Sequence, residues 1–98
     1  MKIPKSVKIG WRTYDVEFIT PDTLEAQTNA ARVHHENEKI YIANNLLDDE
    51  KVCAFLHELM HCLFWQAGKV EHEDEWIVKC LENGLMSLLK DNPSLFSE

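Results

Sequence analysis

No apolar run in this sequence approaches the roughly 18 residues that a membrane-spanning helix needs. The opening Met1-Lys2-Ile3-Pro4-Lys5 is not followed by an apolar stretch, so no secretory signal is expected. Basic residues are scarce: 10 Lys and Arg stand against 17 Asp and Glu, for a net charge of −7. Binding to nucleic acid or to anionic membranes draws its affinity from neutralised phosphates, so neither partner is expected. The three cysteines, Cys53, Cys62 and Cys80, form no C-x-x-C pair. An odd count without a secretory signal predicts reduced thiols and a cytoplasmic location. Repeats, low-complexity tracts and Gly/Ser linkers are also missing. With 98 residues this predicts one domain over 1–98, with room for a single core.

What is present reads as strands followed by helices. Over residues 5–19, Val7 and Ile9 alternate with lysines, and Tyr14, Val16 and Phe18 alternate with polar partners. Gly10-Trp11 between them predicts a hairpin turn, and Pro21-Asp22 ends the pair. Ala31–His35 and Lys39–Ala43 predict a second hairpin around Glu36-Asn37-Glu38, with 22–31 as a loop or the approach to a strand. A helix is expected over 48–66, with Asp48 as N-cap and Gly68 as its stop. Its stripe is Val52, Leu56, Leu59, Met60 and Leu63. A second helix over 73–91 carries Ile77, Val78, Leu81, Leu85, Leu88 and Leu89, and Pro93 closes it. The expected fold class is therefore α+β: a small antiparallel sheet of two hairpins packed against two helices.

The segment His57-Glu58-Leu59-Met60-His61 carries the chemistry. Residues four apart on a helix lie one above the other, so two imidazoles so spaced can share one metal ion. Glu58 is rotated by about 100° from His57, beside such an ion, where a carboxylate can take a proton from water. These three residues fall together off the apolar stripe, on a predicted polar face. The bland alternative is a solvated histidine pair. Acidic residues and a histidine follow at Glu71, His72, Glu73, Asp74 and Glu75, and any of these can ligate metal. His34 and His35 are expected at the surface. Cys53, one turn before His57, is a possible extra ligand, whereas Cys62 and Cys80 are expected to pack. Trp65 and Trp76 are expected in the core or lining a pocket.

With His57-Glu58-x-x-His61 followed by Glu75, the chain resembles the gluzincin-like metallopeptidases. It looks most like the minimal H-E-x-x-H proteins of phages and mobile elements, related to the ImmA/IrrE type. The likeness extends over Val7-Lys8-Ile9-Gly10, Tyr14-Asp15-Val16, Lys39–Ala43 and Asn83-Gly84-Leu85. It implies a zincin-like fold, a zinc cofactor held by His57, His61 and Glu75, and Glu58 as general base. Glu75 is the acid one turn before Val78, at the edge of the second helix's apolar stripe. The resemblance also implies that the strand before the motif helix, Ile40–Ala43, runs along a peptide substrate. Tyr41, His34 and His35 are candidates to stabilise the carbonyl oxygen. The departure from the family is size, because 98 residues leave no room for the extra domains of larger relatives.

Two functions follow as expectations. One is a zinc-dependent peptidase acting on a protein or peptide. The other is a zinc-binding, catalytically weak or inactive module that docks on a phage or host regulator. A catalytic zinc keeps three protein ligands and an open position, whereas a structural zinc has four.

Overall fold

The computed structural model describes residues 2–21, 30–68 and 75–94. Four strands, β1 (Ser6–Ile9), β2 (Arg12–Ile19), β3 (Ala31–His34) and β4 (Lys39–Ala43), precede two helices, α1 (Asp48–Gln66) and α2 (Glu75–Asp91). The fold is a small α+β arrangement of one sheet and two helices. Both expected hairpins form antiparallel pairs, β1 with β2 and β3 with β4. The strand order is β1-β2-β4-β3, so the hairpins join through a parallel β2–β4 pairing and the sheet is mixed. A fully antiparallel sheet is thereby corrected. Local alternation predicts each strand, but the join between hairpins is a long-range pairing that alternation does not encode.

The same topology overturns the substrate strand expected from the resemblance. Ile40–Ala43 lies in the sheet interior, with β2 on one side and β3 on the other. Among the described residues the edge nearest the helices is β3.

The core fills the space between one sheet face and α1. Tyr14 of β2, Ile40 and Ile42 of β4, and Phe55 and Cys62 of α1 are its most buried members. Residues two apart on a strand share a face, which puts Tyr14, Val16 and Phe18 on the core side. Phe18, at the strand's end, escapes burial and sits beneath the Lys51 ammonium, 5.3 Å from its ring centroid.

α1 begins at the expected residue with a different cap. Leu47 is the N-cap and has no polar side chain to offer. Glu50 reaches back instead and accepts the Leu47 N–H at 2.9 Å. Asp48 therefore stands inside the helix, where its charge still suits the positive end of the dipole. At the far end Gly68 takes φ +71°, a left-handed stop that glycine adopts readily.

The rotation of α1 also departs from expectation. Its buried residues are Ala54, Phe55, Leu56, Glu58 and Cys62, while Leu63 is exposed. The helix is covered on two sides, by the sheet and by α2, so His57, Glu58 and His61 face a cleft instead of bulk solvent. In α2, Val78 and Glu82 are buried, whereas Leu81, Leu88, Trp76 and Cys80 are exposed. Those four were expected to pack. Glu71, His72, Glu73 and Asp74 lie outside the described residues.

The first turn is pinned to the end of α1. Gly10 has φ +62°, and the Gln66 side-chain amide donates to the Ile9 carbonyl at 2.5 Å. A Cβ at position 10 would run into the Gln66 amide oxygen. Gly10→Ala thus combines left-handed strain with a displaced hydrogen bond, and should cost about 2 kcal/mol. Urea unfolding of the two proteins side by side measures that difference.

Candidate metal centre

α1 places His57 and His61 on one face, and the first residue of α2 closes on them. His57 Nε2 lies 3.2 Å from His61 Nε2. Glu75 brings Oε2 to 3.0 Å from His57 Nε2 and Oε1 to 2.9 Å from His61 Nε2. The two imidazole rings meet edge to face, with centroids 4.8 Å apart. The structure thus brings together the three residues that the sequence singled out. Among the described residues they are the one group of three or more His, Cys, Asp and Glu side chains close enough to hold a metal ion. Cys53 is not part of it.

The donor set fits a small divalent cation. Two neutral imidazole nitrogens and a carboxylate oxygen carry lone pairs, and lone pairs converging at these distances repel unless a proton or cation lies among them. Zinc–nitrogen bonds of about 2.0–2.1 Å in a tetrahedron separate neighbouring donors by about 3.3 Å. The two imidazole nitrogens stand 3.2 Å apart, close to that spacing, and with one oxygen of Glu75 taken as the third donor all three atoms lie within 4.8 Å of one another. Both histidines are largely buried, while the Glu75 side chain is 60% exposed, so the centre opens to solvent on the α2 side.

Glu58 sits beside this triad in a different environment. It is only 6% exposed, so it lies within the core-facing side of α1 and not on a solvated face. Burial, and then the negative charge of Glu75, push its pKa up to about 7. A hydrogen bond from the Val33 backbone N–H partly offsets this. The base candidate is thus fastened to the edge strand β3 by its main chain.

Two further groups went unrecognised in the sequence. Glu82 is buried, with Oε1 3.3 Å from His57 Nδ1. The signal was there, since Glu82 follows Glu75 by seven residues and so shares its helical face. The second group centres on His35, which is half-buried and not at the free surface as expected. Its ring stacks on Trp65 at 4.2 Å with an interplanar angle of 7°. Its Nδ1 lies 2.8 Å from the hydroxyl of fully buried Tyr14. Arg12 completes the cluster, with its guanidinium 4.9 Å from the Trp65 ring centroid. No local pattern joins residues 12, 14, 35 and 65, so only the fold reveals them. His34 is also half-buried and packs edge-on against Tyr41 with centroids 5.3 Å apart.

His57, Glu58, His61 and Glu75 line one cavity of about 1030 Å³, together with Ala31, Val33 and His35. It runs between β3, α1 and α2. Trp65, on which the His35 ring stacks, follows His61 by one helical turn.

The thiols separate by environment. Burial pushes the Cys62 pKa up to about 12, with the Glu58 charge adding to it, and burial also raises that of half-buried Cys53. Cys80 is exposed. An alkylating reagent at pH 8 should therefore modify Cys80 first and Cys62 only on unfolding. Peptide mapping by mass spectrometry reads the order, and Cys62 reacting as fast as Cys80 would contradict it.

Comparison with known proteins finds no match: no family model, no curated protein and no solved structure is significantly similar to this chain. Among the described residues no helix is long and apolar enough to cross a membrane.

Proposed function

We propose that this chain is a zinc-dependent, peptidase-type hydrolase with its centre at His57, His61 and Glu75. The observation that carries the reading is the convergence of two imidazole nitrogens and the two oxygens of the Glu75 carboxylate, in contacts of 2.9–3.2 Å, beside a buried carboxylate in the same cavity. Three protein donors among the described residues are the number a catalytic site with an open position uses. When bound, zinc supplies a Lewis acid that polarises a carbonyl and acidifies water.

The remaining work falls to the chain's own residues. Glu58, which lines the same cavity beside the triad, is placed to take a proton from water and to return it to the leaving amine. Val33 N–H holds that carboxylate in place. His35 is the donor to the carbonyl oxygen, because it lines the cavity while its Nδ1 is engaged by Tyr14. His34 and Tyr41 do not line that cavity among the described residues.

The substrate track moves from β4 to the outer edge of β3. Ala30 O accepts from Ala43 N, so Ala30, Arg32 and His34 turn their main chain toward β4, and Ala31 and Val33 turn theirs outward. An extended peptide can add there as a strand beside Glu58. The test is incubation of zinc-loaded protein with unfolded polypeptide, with products read by mass spectrometry. The expected result is cleavage that a chelator stops and zinc restores. Zinc binding without cleavage of any polypeptide offered would instead favour an interaction module.

A further inference from the structure

We propose that Glu82 is a positioning residue that fixes His57 as an Nε2 donor toward the triad. This rests on the zinc-binding proposal above and deepens it. Glu82 stands on α2 two turns beyond Glu75, so α2 meets the same imidazole twice. Glu75 approaches Nε2 at 3.0 Å, and Glu82 approaches Nδ1 at 3.3 Å.

Burial is the first reason. Glu82 is 5% exposed and is the one buried charged residue of α2 among those described. A carboxylate loses its hydration there and requires a specific partner. Lys79 lies 3.9 Å away, but its side chain is mostly exposed, and a surface pair of that kind does not require an acid to be buried. His57 is the partner that accounts for the position. Cys53 faces the same region from α1 and bears no charge as a thiol.

The second reason is an unsatisfied atom. Among the described residues His57 Nδ1 is the one buried side-chain nitrogen or oxygen without a hydrogen bond. It lies within ion-pair distance of Glu82 Oε1, but at an angle that makes no hydrogen bond. Leaving such a group unpaired is costly, so a small ring rotation that closes the bond is favourable. A ligand held on Nε2 would fix that rotation.

Chemistry then assigns the tautomer. With a cation on Nε2, the one proton of the ring would sit on Nδ1, where the Glu82 carboxylate can accept its hydrogen bond. Neutral imidazole has one N–H, which leaves the lone pair on Nε2, the atom that faces His61 and Glu75. Carboxylates behind metal-bound histidines act in this way, and their loss typically costs about 10–100-fold in metal affinity.

Glu82→Gln tests the assignment, since an amide can donate as well as accept and no longer selects the tautomer. Two readouts are needed. The first is the ¹⁵N NMR signature of His57 in metal-free protein carrying Glu75→Ala, which removes the competing acceptor at Nε2, expected as Nδ1–H with Glu82 and shifted toward Nε2–H with Glu82→Gln. The second is the zinc dissociation constant by chelator competition, expected to weaken about 10–100-fold in the variant. A merely structural Glu82 would leave the tautomer unmoved. An Nε2–H tautomer in the Glu75→Ala protein with Glu82 intact, or zinc affinity within twofold in a folded Glu82→Gln variant, overturns the proposal. If Glu82→Gln does not fold, the tautomer of the Glu75→Ala protein alone decides. Absence of zinc uptake by the parent would defeat the zinc-binding proposal instead, and the tautomer would still test the role of Glu82.

Discussion

Glu58→Gln should keep its zinc, lose about 10²–10⁴-fold of its hydrolytic rate, and gain stability when metal-free. The first two effects follow from removing a base while leaving all three donors in place. The third follows from burial. Glu58 is raised from 4.5 to about 7 in the folded chain, so its contribution to stability is complete below about pH 4.5. That contribution is lost as pH rises toward 7, because the unfolded chain releases the proton first. At about 1.4 kcal/mol per pKa unit the loss reaches up to about 3 kcal/mol. The metal-free parent should therefore weaken from pH 5 to 7 relative to the glutamine variant, which has nothing to titrate there. Urea titrations of both proteins at several pH values measure the gap. A variant no more stable than the parent at pH 7.5 would mean that Glu58 is not a strained, buried acid. Full hydrolysis by the variant would remove it as the base.

Chelation should produce the other large effect. Glu75 and Glu82 both attach α2 to His57, while Val78 is the one fully buried apolar residue that α2 supplies among those described. Without a cation among them, the converging donors hold α2 weakly. A ligand present at about 1,000 times its dissociation constant stabilises the folded state by about 4 kcal/mol. At about 4–8 °C per kcal/mol for a chain of this size, chelation should lower Tm by about 15–30 °C. Hydrogen exchange should localise the change, with amides of α2 losing protection before those of β2 and β4. Uniform loss across the chain, or an unmoved Tm, would contradict a metal clamp on α2.

The contrast between legible and hidden features has physical causes. The span of α1 was readable because apolar residues recur at helical spacing and Gly68 ends the run. The histidine pair was readable because its spacing of four is a property of any helix, and Glu75 because it sits at the edge of the second helix's apolar stripe, one turn before Val78, where the resemblance also places a ligand. The depth of Glu58 was not, since helical periodicity ranks faces without saying how many are covered. α1 is covered by both sheet and α2, so a polar residue became a buried one and Leu63 an exposed one. The interior place of β4 was equally hidden, because strand order depends on which hairpin lands beside which. The cluster of Arg12, Tyr14, His35 and Trp65 spans β2, the β3–β4 turn and α1, and only tertiary packing assembles it. Glu82 is the intermediate case. Its spacing from Glu75 marked a shared face, but nothing local showed that His57 would lie against it.

The most direct measurement is a zinc titration of the metal-free protein against a chromophoric chelator, repeated on His57→Ala, His61→Ala and Glu75→Ala. The predicted result is one tightly bound zinc per parent chain and no tight site in either histidine variant. Glu75→Ala should bind roughly 100-fold more weakly, in line with the share of a structural-zinc free energy that one ligand carries. No zinc uptake by the parent, or uptake that survives both histidine substitutions, would contradict the metal centre and the hydrolytic function built on it.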